Sequence, residues 1–153
     1  MLTLDYVDRR VQVYFAAWID LSPKDIISLK ETAGVVEPHM ARQHFLFYTA
    51  VDVICFCHFY QHLLKNIGSN VFSAIGFNPC TEKLGQLKKQ FPNARTIGIF
   101  DDTVLGRVLD CKVVLACIRK EVSFELAHGA VLFSYRGKDF VVPEALFSLH
   151  HFR

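Results

Sequence analysis

The chain has 153 residues, of which 52% are hydrophobic and 21% charged, with a formal charge of +2. That length suits one ordinary domain with a real core, and so small a charge calls for neither nucleic acid nor an acidic membrane as partner. The apolar surplus predicts buried parallel strands and a surface covered by another subunit.

Five cysteines, Cys55, Cys57, Cys80, Cys111 and Cys117, make an odd count without disulfide-scaffold spacing. Cys55, Cys111 and Cys117 are expected on apolar faces, as reduced cytosolic thiols behaving like small hydrophobes. The start, Met-Leu-Thr-Leu-Asp-Tyr-Val-Asp-Arg-Arg, lacks the charged-then-apolar order of a signal peptide. The longest apolar run, Phe45 to Phe59, is too short to span a bilayer and contains Asp52 and His58. The expectation is a soluble, cytoplasmic protein.

In chain order, residues 5–19 are apolar enough for helix or strand, and the alternation Val11-Gln12-Val13-Tyr14-Phe15 favours a strand. Ser22-Pro23-Lys24-Asp25 reads as a helix start, with serine as cap, proline first and an acid third. That helix is expected to end near Gly34. From residue 44 a regular alternation follows: strand 45–48, helix 50–65, strand 70–75. Asn78-Pro79 opens a helix with Leu84, Leu87 and Phe91 on one face. Strand 96–100 and helix 103–119 complete the series. Strands alternating with helices imply a parallel sheet with right-handed crossovers. The tail changes character: 122–126, 130–135 and 140–142 read as strands joined by His128-Gly129 and Arg136-Gly137 turns. Pro143-Glu144 then opens a short terminal helix. The expected core is Phe47, Ile54, Ile75, Leu84, Leu87, Ile97, Ile99, Val108 and Leu115.

The most informative stretch is Arg95-Thr-Ile-Gly-Ile-Phe-Asp101-Asp102-Thr103-Val-Leu-Gly106-Arg107. A β-branched run ends in two acids, and acids just past a parallel strand's C-terminal end face the crevice where ligands bind. Strand, helix, strand, helix, strand ending in Phe-Asp-x-x-x-x-Gly-Arg resembles the Toprim domain of primases, topoisomerases and related nucleases. Tyr48-Thr-Ala-Val-Asp52 resembles that family's first motif, a glutamate after strand one with an aspartate opening the helix. Phe100-Asp-Asp-Thr-Val-Leu-Gly106-Arg107 resembles its Asp-x-Asp, and Ser73-Ala-Ile-Gly76-Phe-Asn78 its second strand and turn. The resemblance covers about residues 44–120. It implies an α/β, Rossmann-like parallel sheet flanked by helices, with residues 1–43 as N-terminal extension and 121–153 as C-terminal β segment of the same domain.

The departures bear on function. In the family the two aspartates share one Mg²⁺, a hard cation wanting oxygen ligands, and the glutamate supplies acid–base work or a further ligand. Here Tyr48 takes the glutamate position and is no base near neutrality. Thr103 takes the second aspartate position, leaving Asp101 with Asp102 in the intervening place. No cofactor is expected beyond weak Mg²⁺ or Mn²⁺ binding, and 153 residues leave no room for the template-binding domains of active members. The resemblance then implies a non-catalytic protein that binds a protein partner, a second copy of itself or nucleic acid, in a replication or mobile-element context. The alternative is a metal-dependent hydrolase or phosphoryl-transfer enzyme using Asp101, Asp102 and Asp52. Each acid also has a structural reading as helix cap: Asp101-Asp102-Thr103 ahead of one helix, Asp52 in the first turn of another. Cys55, His58 and His62, spaced by three and four, could hold zinc. No fourth ligand is signalled, and a core cysteine with partly exposed histidines is the simpler expectation. Neither a nucleophile elbow nor a phosphate-binding loop is present.

Overall fold

Three short runs rich in β-branched and aromatic residues pair side by side, all pointing the same way. The computed structural model describes residues 4–21 and 27–152. Strand β3 (Gln43–Phe47) is central, with β4 (Asn70–Ala74) on one side and β5 (Arg95–Gly98) on the other, both parallel to it. The expected parallel sheet is therefore present. Around it the chain is mixed α/β, with two antiparallel sheets besides. The described helices are α1 (Arg9–Phe15), α2 (Ala50–Phe59), α3 (Thr81–Gln90) and α4 (Val104–Cys117). Chain contacts separate two compact units, residues 1–77 with 88–99, and residues 78–87 with 100–153.

In the first unit the pleat sends Phe45, Phe47 and Phe72 to one face, where Val11 and Phe15 of α1 and Val53, Ile54 and Cys57 of α2 bury them. The other face carries His44, Leu46, Val71 and Ser73, all buried, with Phe91 edge-on to the His44 ring. A strand covered on both faces must be nearly continuously apolar, which is why the Phe45–Phe47 run was legible. Ile97 on the edge strand β5 and Ile99 just beyond its end are only half-buried, and Leu87 is half-buried in the last turns of α3. The other expected core residues, Phe47, Ile54, Ile75, Leu84, Val108 and Leu115, are buried.

The N-terminal region differs from expectation. Residues 9–15 form a helix: Asp8 caps it by accepting the Arg10 amide, and Val11 and Phe15, four apart, point inward while Val13 is exposed. The Val-Gln-Val alternation misled because only one helical turn of spacing is sampled. The predicted helix start at Ser22-Pro23-Lys24-Asp25 lies outside the described residues. Its expected continuation toward Gly34 is instead strand β2 (Ile27–Leu29), antiparallel to β1 (Ile19–Leu21), followed by a bridge from Ala33 to Phe72 on β4. Gly34 has φ +85°, and a Cβ there would lie 2.7 Å from the Asn70 carbonyl oxygen. The chain needs glycine to cross β4 so closely.

In the second unit, β6 (Glu125–Ala127), β7 (Ala130–Tyr135) and β8 (Lys138–Pro143) form an antiparallel meander. Both connections are two-residue turns with positive φ throughout, His128-Gly129 at 53° and 74° and Arg136-Gly137 at 52° and 75°. That is the twist that suits a tight hairpin. One face of the meander buries Val131, Phe133, Tyr135 and Val142 against Val108, Cys111 and Leu115 of α4 and against Phe147 and Phe152. The apolar stripe of α4 thus serves the C-terminal sheet, a pairing that helix periodicity alone could not reveal. The expected terminal helix is two 3-10 turns, Glu144–Leu146 and Leu149–Phe152. The expected hydrophobic cysteine set changes too: Cys57 and Cys111 are buried, whereas Cys55 and Cys117 are exposed. Among the described residues no helix is long and apolar enough to cross a membrane.

Phe72 is fully buried, stacked on Phe45 with ring centroids 5.5 Å apart. Phe72→Ala should cost roughly 3–5 kcal/mol, seen as a lower urea midpoint. Phe59→Ala, at a ring that is 78% exposed, should change stability by no more than about 0.5 kcal/mol.

Candidate functional site

Backbone geometry explains why the site residues sit where they do. In the first unit the ladder runs past the end of β3, with the Gly76 amide donating to the Tyr48 carbonyl at 2.9 Å. Helix α2 then begins at once. Its first amides need acceptors, and Thr49 with Asp52 provides a capping box. The Asp52 amide donates to Thr49 Oγ1 at 3.2 Å, and Asp52 Oδ2 accepts from the Thr49 amide at 3.2 Å and its hydroxyl at 2.9 Å. Tyr48 stacks on Phe77 with centroids 4.9 Å apart and planes 22° from parallel. The Phe77 ring is 56% exposed, so an aromatic pair occupies this strand end.

In the second unit the segment Asp101-Asp102-Thr103 leads into α4. Thr103 is its N-cap: Oγ1 accepts from the Gly106 amide at 3.2 Å and donates to Asp101 Oδ1 at 2.6 Å. Gly106 is imposed by this loop, since a Cβ there would stand 2.0 Å from the Asp101 carbonyl oxygen and 2.7 Å from Asp101 Oδ1. Asp102 pairs with Arg107 Nη1 at 3.0 Å, while Arg107 Nη2 donates to the Glu144 carbonyl at 2.7 Å. Arg107 therefore ties the loop ahead of α4 to the turn that follows β8. The Asp-x-x-x-x-Gly-Arg spacing has a complete local explanation: acid, cap, close approach and clamp.

The zinc candidates are not assembled as the sequence suggested. The helix ends at Phe59, and His62 lies in a 3-10 turn, Gln61–Leu64, so the shared helical face is interrupted at Tyr60. His58 Nδ1 accepts the Asp8 amide at 2.9 Å, holding the start of α1. Cys55 is exposed and its neighbour Cys57 is the buried thiol. Among the described residues no group of three or more His, Cys, Asp or Glu side chains is arranged to hold a metal ion. Burial pushes the Cys57 thiol up to about 12, and the Cys111 thiol likewise, with the Asp110 charge adding to the latter. Neither is a nucleophile near neutrality.

The sequence reading missed a polar chain inside the first unit. His44 Nε2 and Ser73 Oγ share a 2.7 Å hydrogen bond, and Ser73 Oγ shares another of 2.6 Å with Thr32 Oγ1. Serine beside histidine has the parts of a nucleophile and its base. Both, however, lie on the inner face of the sheet, 5% and 1% exposed, where no substrate reaches them. They satisfy one another, as buried polar groups must. The available signal was strand alternation, which puts His44 and Leu46, like Val71 and Ser73, on one face of strands predicted to be buried on both. A histidine in such a run needs a partner.

Burial, then the Lys88 cation, lowers the His44 pKa to about 4 from an ordinary 6.5. The unfolded chain takes up that proton at higher pH than the folded one, so the contribution to stability is complete above 6.5. It fades as pH falls toward 4 and reaches about 3 kcal/mol in full. Urea denaturation across this window should show the loss, and His44→Gln should flatten that part of the profile. At the α4 cap, Gly106→Ala should cost about 1–3 kcal/mol through overpacking against the Asp101 backbone. Gly85→Ala in α3, where an added Cβ meets nothing within 4 Å, should instead gain about 0.5–1 kcal/mol. Thermal unfolding of the two variants reads the contrast.

No family model, curated protein or solved structure matches this chain.

Proposed function

We propose that this chain is a non-catalytic, Toprim-like α/β protein that works by association with another protein chain, a second copy of itself included. What carries the reading is the use made of the acids. Asp52 is engaged in a capping box, Asp101 accepts from the cap residue Thr103, and Asp102 pairs with Arg107. A hard divalent cation needs carboxylate oxygens converging on one point, and these oxygens are drawn into holding helix starts. The metal-dependent enzyme reading would have to release Asp52, Asp101 and Asp102 from those bonds. The replication or mobile-element context rests on the family resemblance alone.

Exposed apolar side chains support the protein-binding half of the proposal. Val141 on β8 is 69% exposed and Leu126 on β6 47%, and these are the two edge strands of the C-terminal sheet. Edges invite pairing with another chain. A charge of +2 gives nucleic acid little electrostatic footprint, since that binding grows with the number of phosphates neutralised.

Thermal unfolding with added Mg²⁺ or Mn²⁺ tests the catalytic half, because a ligand of the native state raises the midpoint by mass action. The expected result is no shift beyond an ionic-strength control, and a saturable rise would overturn the reading. Sedimentation equilibrium tests the other half. A mass above that of one chain, reduced by Leu126→Lys with Val141→Lys, is expected, whereas a strict monomer with no effect of the pair removes self-association from the proposal.

A further inference from the structure

A pocket in the first unit lies where α1 meets the 3-10 turn after α2, lined by Arg10, Tyr14, Gln61, His62, Leu64 and Lys65, with a volume of about 370 Å³. Its lining has one chemical character. Arg10 and Lys65 are cations, His62, Tyr14 and Gln61 add ring-nitrogen, hydroxyl and amide groups, and the carboxylate beside the pocket, Asp8, lies outside the lining and is paired with Arg10. That is the donor set that recognises a phosphate group through charge-assisted hydrogen bonds. The volume falls within the range of small-molecule sites.

The framework around this pocket is held independently of any ligand. Asp8, outside the lining, accepts from Arg10 Nε at 3.2 Å and Nη2 at 3.4 Å, fixing the guanidinium fork. It uses two of that group's five N–H donors. The Asp8 amide is anchored on His58, and the Gln61 side chain donates to the His58 carbonyl at 3.1 Å. Burial pushes the Tyr14 hydroxyl up to about 12, with the Cys57 thiol adding to it, so this residue stays a neutral wall. The Tyr14 ring is packed against Phe15 and Trp18, with centroids 5.0 and 5.6 Å away. Leu64 supplies apolar contact for the part of a ligand that is not phosphate. The acidic trough on the C-terminal meander, lined by Glu121, Glu125 and Asp139, lacks any comparable second feature.

We propose that this pocket binds the phosphate monoester of a small metabolite of mononucleotide size. Lys65 and His62 at the mouth would meet the phosphate oxygens, with Arg10 holding the ligand from the α1 side. The site is independent of the acids at the strand ends and does not rest on the association reading.

Isothermal titration and thermal unfolding at matched ionic strength test it, using inorganic phosphate, adenosine monophosphate, adenosine and a deoxythymidine oligonucleotide as probes. Phosphate and adenosine monophosphate should bind and raise the midpoint, and adenosine should do neither. The double variant His62→Gln, Lys65→Gln changes two exposed side chains and should fold normally. It should weaken adenosine monophosphate binding by at least roughly tenfold, the loss of about 1.4 kcal/mol of interaction. Arg10→Lys keeps the charge but loses the fork and should weaken it less. No binding of either phosphate compound at about 10 mM, where a site of millimolar Kd would be mostly filled, would overturn the proposal. So would equal binding by parent and double variant. Binding of the oligonucleotide alone would overturn it in favour of a nucleic-acid surface.

Discussion

A helix that starts directly at a strand end has amides in its first turn that need acceptors, and that need governs both candidate centres of this protein. Each unpaired buried amide costs about 1–3 kcal/mol, so the nearest oxygen-bearing side chains are recruited first. After β3 they are Thr49 and Asp52, and ahead of α4 they are Thr103 with Asp101 behind it. A catalytic acid in the same place would have to be spared from that duty by another capping group. Here the capping threonine stands in the very position where the Toprim pattern would place a second aspartate.

The rest of the α4 entry follows from the same arrangement. For Thr103 to reach Asp101, the chain folds back over the first turn of α4, and only a residue without Cβ leaves room at position 106. The folded loop then presents Asp102 to Arg107, whose other nitrogen reaches the turn after β8. The C-terminal meander is thereby joined to the helix that covers its buried face, by one guanidinium as well as by the Phe133–Phe147–Phe152 cluster. A residue pattern that looks like chemistry is, in this unit, the means of holding an antiparallel sheet to a helix.

The parallel sheet was legible because β3 and β4 are buried on both faces and so write themselves as mostly apolar runs between turn residues. The hairpin turns were legible from Gly129 and Gly137, each preceded by a residue that takes positive φ with it. The N-terminal helix was not, because seven residues sample too little of the helical period to outweigh the local alternation at Val11 and Val13. The use of α4 could not be read either, since periodicity shows that a helix has an apolar stripe but not which sheet the stripe covers. At the candidate site, the sequence left Asp52 and Asp101 suspended between ligand and cap, because both roles ask for an acid at a helix start. Distances of 2.6 to 3.2 Å to threonine are what assign the capping role. The buried His44–Ser73 pair was not legible because its partners lie 29 residues apart on neighbouring strands, and only the register of β3 against β4 brings them together.

The central claim, that the strand-end acids serve helix caps and not a cation, is tested most directly by Mn²⁺ titration followed by amide NMR. Paramagnetic broadening reports where the ion dwells, residue by residue. The account predicts that the amides of residues 49–52 and 101–106 broaden no more than those beside a solvated surface acid such as Glu82. Selective broadening of either segment, at Mn²⁺ concentrations that leave the Glu82 region sharp, would contradict it.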